Sequence, residues 1–356
     1  MLVVEAFLQK HHIKDNVIAV GVSGGADSLA LVLMLAEELP IFGRRVVALT
    51  VDHHLRPTST DEAAYVAKIM QQHGIEHHIL DWTGEKPHAN VEDAARQARY
   101  ELLKNWCQAH QINCLCVAHH CQDQAETFLL RLQRGSGLQG LCAMREVSHQ
   151  HGLKILRPLL KHTPQALRDY LRQKNIRWIE DESNTDKRYL RNKVRAFMPL
   201  LVQQTGISTH RICTAVQNLQ SAEDFIETQT DNIFAAAVHD YFATVFYFNY
   251  ADFLAWHPEI QFRILARLCR QTYIPRAQRV LNLLEKMRRL PFSGATLGQK
   301  TIILMNGVVY VVPEQRQNLP FRAKDWQNFV AANPPYKNLK LPSAVRRAIL
   351  NTVRKK

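Results

Sequence analysis

At 356 residues and 40.9 kDa the chain exceeds one ordinary compact module, and its size points to two or three domains. Lys+Arg 45 against Asp+Glu 32 gives a net charge of +13, which favours a polyanionic partner such as nucleic acid. The longest nearly apolar run, 241–251, is about half of a bilayer span, so no transmembrane segment is expected.

Residues 1–12 carry Glu5 and no basic leader, unlike an export signal. The seven cysteines are odd in number and scattered, and no pair has C-x-x-C spacing. Reduced thiols in a cytosolic protein are therefore expected, with Cys114, Cys116 and Cys121 read as buried small hydrophobes. In chain order, Val17 to Val22 is a β-branched run that ends at Ser23-Gly24-Gly25, and the apolar periodicity of Leu29 to Leu39 predicts a helix. The unit then repeats. Arg45 to Val51 reads as a buried strand, Thr60 to Gln72 as a helix with Asp61 and Glu62 in its first turn, and His77 to Leu80 as a third strand. A long helix over Val91 to His110, a strand over Asn113 to Ala118 and a helix over Gln122 to Arg134 follow. This alternation predicts an α/β fold with a doubly wound parallel sheet, whose ligands lie beyond the carboxyl ends of the strands.

The strand signal fades from about Arg157. Helices are expected over Thr163 to Lys174, with Pro164 in the first turn, and over Tyr189 to Gln203. Residues 206–286 read as mainly helical, with 241–250 a strand or a connector. Thr301 to Leu304 and Val308 to Val312 flank Asn306-Gly307, a strong hairpin signal. Boundaries are placed near 215 and 320. The last 36 residues hold nine Lys/Arg against Asp325 alone, and read as a solvated basic tail.

The most informative residues are Ser23-Gly24-Gly25-Ala26-Asp27-Ser28, set between the first strand and the first helix. Glycines there let the backbone N–H groups approach an anion, the helix dipole favours negative charge, and two hydroxyls add donors: a phosphate cradle. Asp27 would repel phosphate unless it acts through Mg²⁺, so it is assigned as the metal ligand; the alternative is a glycine turn with Asp27 as a helix N-cap. Asp52 and His53 end the second strand, where adenosine should lie. His119, Asp123 and Glu126 follow the fourth strand. The two acids are three apart, so on a helix they share a face and suit a substrate ammonium, the alternative being a pair of helix N-terminal acids that serve the dipole. The basic set Arg131, Arg134, Arg157, Arg188, Arg191, Lys193 and Arg195, interspersed with Trp178 and Tyr189, suits an RNA backbone with an unstacked loop.

Ser23 to Ser28 match the SGGxDS pyrophosphate loop of the N-type ATP pyrophosphatase (PP-loop) superfamily. Within it the chain resembles the tRNA(Ile)-lysidine synthetase family. The closer match is carried by 51–56 (VDHHLR), 90–100 (NVEDAARQARY), 118–127 (AHHCQDQAET) with 134–137 (RGSG), and 178–184 (WIEDESN) with 189–195 (YLRNKVR), together covering about residues 17 to 200. The sequence departs from the usual H-H-x-D-D-Q at Gln122, where one carboxylate is lost.

The resemblance implies an adenine nucleotide alpha-hydrolase-like catalytic domain over 1–215, a helical tRNA-binding domain ending in a β hairpin over 216–320, and a basic tail over 321–356. That tail leaves room only for a truncated second C-terminal domain. It implies ATP and Mg²⁺ as cofactors, free L-lysine and tRNA(Ile) with a CAU anticodon as partners, and lysidine formation through an adenylated wobble cytidine, with AMP and pyrophosphate released. It is compatible with a homodimer. Ser23, Gly24, Gly25, Ala26, Asp27, Ser28, Asp52 and His53 would bind ATP; Asp123 and Glu126 would bind lysine; Arg131, Arg134, Arg191 and Lys193 would bind tRNA. Asp27, His119, Asp123, Glu126 and Arg195 would form the catalytic set, with Arg191 or Arg195 steadying the departing phosphate and either His119 or a carboxylate deprotonating the amine. The rivals are a tRNA thiolase of the same superfamily and an inactive RNA-binding adaptor. The intact loop argues against the adaptor, and Gln122 is the one feature in its favour.

Overall fold

In the computed structural model the described residues are 3–87, 91–150, 152–180, 190–270, 275–289, 291–292, 294–314, 322–337 and 339–353. Asn90, residues 181–184, Arg188, Tyr189 and the terminal basic residues 354–356, all singled out above, lie outside them. The chain divides into two compact units, 1–221 and 222–356.

The first unit runs α1 (Val3–Lys10), β1 (Val17–Gly21), α2 (Ala26–Glu38), β2 (Arg45–Asp52), α3 (Ser59–Gln72), β3 (Glu76–Asp81), α4 (Val91–Ala109), β4 (Cys114–Cys116), α5 (Cys121–Gln133), α6 (Leu138–Leu141), β5 (Val147–Gln150), β6 (Leu153–Leu156), α7 (Pro164–Gln173) and α8 (Leu190–Thr205). The β-branched runs of β1 and β2 are buried on both faces, as a sheet covered on both sides requires. The strand order is β3-β2-β1-β4-β6-β5, parallel except for the β5–β6 hairpin at the edge. Sequence reasoning placed no strands over 147–156, because two four-residue strands are too short to show a period.

Alternation along β1 feeds two cores. Ile18 and Val20 pack with Leu29, Leu31 and Leu33 of α2, whereas Ala19 joins Tyr100 and Leu103 of α4. From β1 the chain builds outward to β2 and β3, then returns to place β4 on the other side of β1. The β1/β4 boundary is therefore the topological switch point, where an open α/β sheet forms its ligand crevice.

The units divide within α9 (Thr209–Ala237), and the second continues with β7 (His239–Tyr241), β8 (Val245–Asn249), α10 (Tyr250–Ala255), α11 (Pro258–Leu268), α12 (Ala277–Arg288), β9 (Gly294–Leu297), β10 (Lys300–Met305), β11 (Val308–Pro313), α13 (Ala323–Ala332) and α14 (Ser343–Val353). The expected hairpin is present as β10–β11, with Asn306 and Gly307 both at positive φ as a type I′ turn requires. It sits inside a five-stranded antiparallel sheet, β7-β8-β11-β10-β9.

Both faces of β11 are buried: Val309 and Val311 pack with Ile264 and Val280 of α11 and α12, and Tyr310 and Val312 pack with Trp326, Phe329, Val345 and Ile349. Residues 321–356, read above as a solvated basic tail, thus contain α13 and α14, which cover the second face of this sheet. The lysine and arginine count masked an amphipathic pattern, in which Val345, Ala348 and Ile349 share the buried side of α14.

Candidate active site

The loop after β1 is shaped by its glycines. Gly24 has φ +83, and a Cβ there would lie 2.7 Å from Ile179 Cδ1 and 3.2 Å from Val66 Cγ2. Only glycine satisfies both the left-handed backbone and the close approach. The Ile179 N–H donates to Gly24 O at 3.0 Å, so the Trp178–Ile179 stretch braces the loop from outside, a role sequence reasoning did not assign. Ser28 Oγ accepts from Ser23 N at 3.1 Å and donates to Gly25 O at 3.0 Å, closing the turn. Gly25, and not Asp27, is the N-cap of α2, and it makes no side-chain cap bond. Among the described residues the N-terminal N–H groups of α2 thus have no capping side chain, as an anion site at a helix start requires. Asp27, in the first turn, keeps 38% of its side chain exposed, and its only ion pair among the described residues is to His120 Nε2 at 3.5 Å. An exposed carboxylate beside a phosphate cradle is a hard oxygen donor and fits Mg²⁺.

Across the switch point, His120 caps α5. Its N–H donates to Asp123 Oδ2 at 3.0 Å, and the Asp123 N–H donates to His120 Nδ1 at 3.3 Å. Burial opposes a charge on this imidazole, but the Asp27 carboxylate 3.5 Å from Nε2 and the charges of Asp123 and Glu126 outweigh it and raise its pKa. His119 behaves oppositely. Burial pushes its pKa down to about 4 against the pull of Asp123, with Arg157, Arg191 and Arg96 adding to the fall. It is neutral at pH 7, with a buried Nδ1 that has no hydrogen-bond partner among the described residues. Sequence reasoning chose His119 and passed over His120; adjacent histidines look alike until the helix start separates their directions.

Glu126 is fully buried, and both of its oxygens are engaged. Oε2 accepts from Arg191 Nε at 2.8 Å, and Oε1 accepts from Arg195 Nε at 2.7 Å. Asp123 Oδ1 accepts from Arg191 Nη2 at 2.8 Å. Burial would raise the Asp123 pKa, but His120, Arg191 and His119 hold it below the usual carboxylate range. The basic α8 thus sends Arg191 and Arg195 to the carboxylates of α5, a pairing the linear spacing did not reveal.

The remaining site residues separate by exposure. Asp52 is buried, and its oxygens accept from His54 N and Thr60 Oγ1, both at 2.9 Å, so it anchors the loop after β2. Burial pushes the His53 pKa down to about 4, Arg99 adds to the fall, and the ring meets Trp82 edge-on at 5.8 Å. Arg131 donates to Gly140 O at 2.7 Å and Ala143 O at 2.8 Å, within the protein. Arg134 and Lys193 are exposed. The Cys114 thiol is pushed up to about 12 by burial, and the fully buried Cys116 also rises, so neither is a ready thiolate. No helix among the described residues is long and apolar enough to cross a membrane.

Comparison with known proteins bears on the family and the fold. The family profile described as the PP-loop domain matches residues 3–201. A tRNA(Ile)-lysidine synthase of Orientia tsutsugamushi is 37% identical over 257 residues, covering 70% of this chain and 58% of that protein. One from Ruegeria pomeroyi is 41% identical over 213 residues, covering 60% of this chain and 51% of that protein. The chain thus spans between half and three fifths of the length of these relatives. Among solved structures, a U34-tRNA thiolase of Methanococcus maripaludis superposes with a TM-score of 0.53 at 19% identity, covering 61% of this chain and 77% of that one, a likeness of fold.

Proposed function

The chain belongs to the PP-loop domain family, and from that premise we propose that it joins lysine to C2 of the wobble cytidine of tRNA(Ile) with a CAU anticodon, at the expense of ATP. The observation that carries this reading is the convergence, at the β1/β4 switch point, of the Ser23–Ser28 cradle with the His119–Glu126 segment, in a chain whose curated relatives bear the lysidine synthase name.

In this reading the α2 N-terminus and the two serines hold the pyrophosphate of ATP, and adenosine lies over the loop that Asp52 anchors. The cytidine C2 oxygen attacks the α-phosphorus, the bond to pyrophosphate breaks, and an adenylated base results. The lysine ε-amine then attacks C2, and AMP leaves with the electrons of the C2–O bond. Asp27 would hold Mg²⁺, whose charge would offset that growing on the pyrophosphate oxygens.

Asp123 is the better placed ammonium contact, because Glu126 is fully buried against Arg191 and Arg195 and can reach an amine only if a guanidinium yields. The amine's proton passes to His119 or to a carboxylate of this segment, and burial, which pushes the His119 pKa down to about 4, makes that imidazole a weak base. Lys193, exposed on α8 between Arg191 and Arg195, and Arg134, exposed at the C-terminal end of α5, suit the tRNA backbone. Arg131, bound to two carbonyls of its own chain, serves the α5–α6 turn instead. Buried thiols with raised pKa values give the thiolase rival no support.

The test is incorporation of radiolabelled lysine into unmodified tRNA(Ile) bearing CAU, with and without ATP. ATP-dependent incorporation confined to that tRNA is expected and would make Gln122 a tolerated change. ATP turnover without incorporation would refute lysine as the nucleophile.

A further inference from the structure

Five charged side chains and one imidazole form an unbroken line across the crevice: Asp27, His120, Asp123, Arg191, Glu126 and Arg195. The imidazole stands apart. The His120 imidazole keeps only 7% of its surface exposed, yet each ring nitrogen faces a carboxylate, Nε2 at 3.5 Å from Asp27 Oδ2 and Nδ1 at 3.3 Å from Asp123 Oδ2. The backbone N–H of Asp123 donates to Nδ1, which fixes that nitrogen as an acceptor and leaves the ring proton on Nε2, toward Asp27.

Asp27 has no other ion pair among the described residues, and its carboxylate stands at the first turn of α2 with 38% of the side chain exposed. We propose that His120 is the positioning residue for Asp27. Its Nε2–H holds one carboxylate oxygen so that the other faces the phosphate cradle, and through Asp123 it ties the nucleotide half of the site to the amine half. Buried partners of this kind orient metal-binding carboxylates and set their affinity. The inference rests on the ATP and Mg²⁺ assignment proposed above.

A rival role is plain in the same geometry, since His120 also caps α5 through Nδ1. Two substitutions separate the roles. Asparagine places a polar group where Nδ1 stands and is a good N-cap, but it does not reach Asp27; glutamine extends an amide donor to the Nε2 position and is a poor cap.

The measurement is calorimetric titration of the full chain with an ATP analogue carrying a methylene between the α- and β-phosphorus, repeated over a Mg²⁺ series, with a melting curve for each variant. His120→Asn should melt close to the wild type yet need at least about tenfold more Mg²⁺ for half-maximal analogue binding. His120→Gln should melt lower yet keep the wild-type Mg²⁺ requirement. A His120→Asn protein with the wild-type Mg²⁺ requirement would reduce His120 to a helix cap and overturn the proposal. Equal shifts in both variants would overturn it as well, since the retained donor would then count for nothing. A wild-type protein whose analogue binding ignores Mg²⁺ would remove the metal assignment itself, and the proposal with it, whatever the variants do.

Discussion

Replacing Glu126 with glutamine keeps the shape of the side chain and removes one charge from the most enclosed point of the site. In the native protein this carboxylate is fully buried and receives Arg191 Nε at 2.8 Å, Arg195 Nε at 2.7 Å and Arg195 Nη2 at 3.2 Å. A glutamine has one acceptor oxygen for these donors, and its amide N–H groups face a guanidinium. Deleting one partner of a buried ion pair costs about 3–5 kcal/mol. Here the arginine side chains keep 37% and 32% of their surface exposed, so water partly satisfies them and the effect falls at the low end, about 3 kcal/mol. In a unit of 221 residues each kcal/mol moves the melting temperature by roughly 2–4 °C, giving a fall of roughly 6–12 °C. Thermal unfolding of Glu126→Gln beside the wild type, followed by calorimetry at pH 7.5, measures it. A melting temperature within about 2 °C of wild type would mean that the arginines do not depend on Glu126, and the reasoning from burial would fail.

Asp27→Ala should behave oppositely: a change within about 1 kcal/mol in stability, because its one ion pair among the described residues is long and 38% of its side chain is exposed, but loss of ATP-dependent lysine incorporation. Gly24→Ala should lose nucleotide binding and about 2–5 kcal/mol, combining the φ +83 backbone with the 2.7 Å approach to Ile179; equilibrium urea unfolding reads the second number. His77, bonded to Thr50 Oγ1 at 2.8 Å, has its pKa pushed down to about 4 by burial, with His78 adding to the fall. A depressed folded pKa means that its contribution to stability is complete above pH 6.5 and is lost as pH falls toward 4. His77→Gln should therefore flatten that part of the stability profile between pH 7 and pH 5, and an unchanged slope would show that His77 does not carry it. Lys193→Gln should weaken tRNA binding and reduce its salt dependence without altering the melting curve, whereas Arg131→Gln should lower the melting temperature.

Much of the first unit was legible along the chain because its information is local. A β-branched run, a Gly-Gly turn and an apolar helix specify β1, the phosphate loop and α2 with no help from distant residues. The same holds for Asn306-Gly307, whose positive φ values are a property of two neighbours.

Pairings between segments were not legible. Arg191 meets Glu126 across 65 positions and Ile179 reaches Gly24 across 155, and no periodicity encodes which surface folds onto which. Net charge misled for the same reason: +13 is a sum, and it does not say that Arg131 is spent on carbonyls or that Arg263 is enclosed by Glu223, Glu227 and Glu259.

By itself the sequence determined the doubly wound sheet, the phosphate loop at the end of its first strand and the carboxylates three apart on α5, because each follows from the covalent order and the period of a helix or strand. Tertiary structure alone decided that His120 and not His119 faces Asp27, that two arginines close on Glu126, and that α13 and α14 cover the far side of β11. Direction, burial and partner choice belong to packing, which brings together segments far apart in the chain and matches most buried polar groups and apolar faces with a complement.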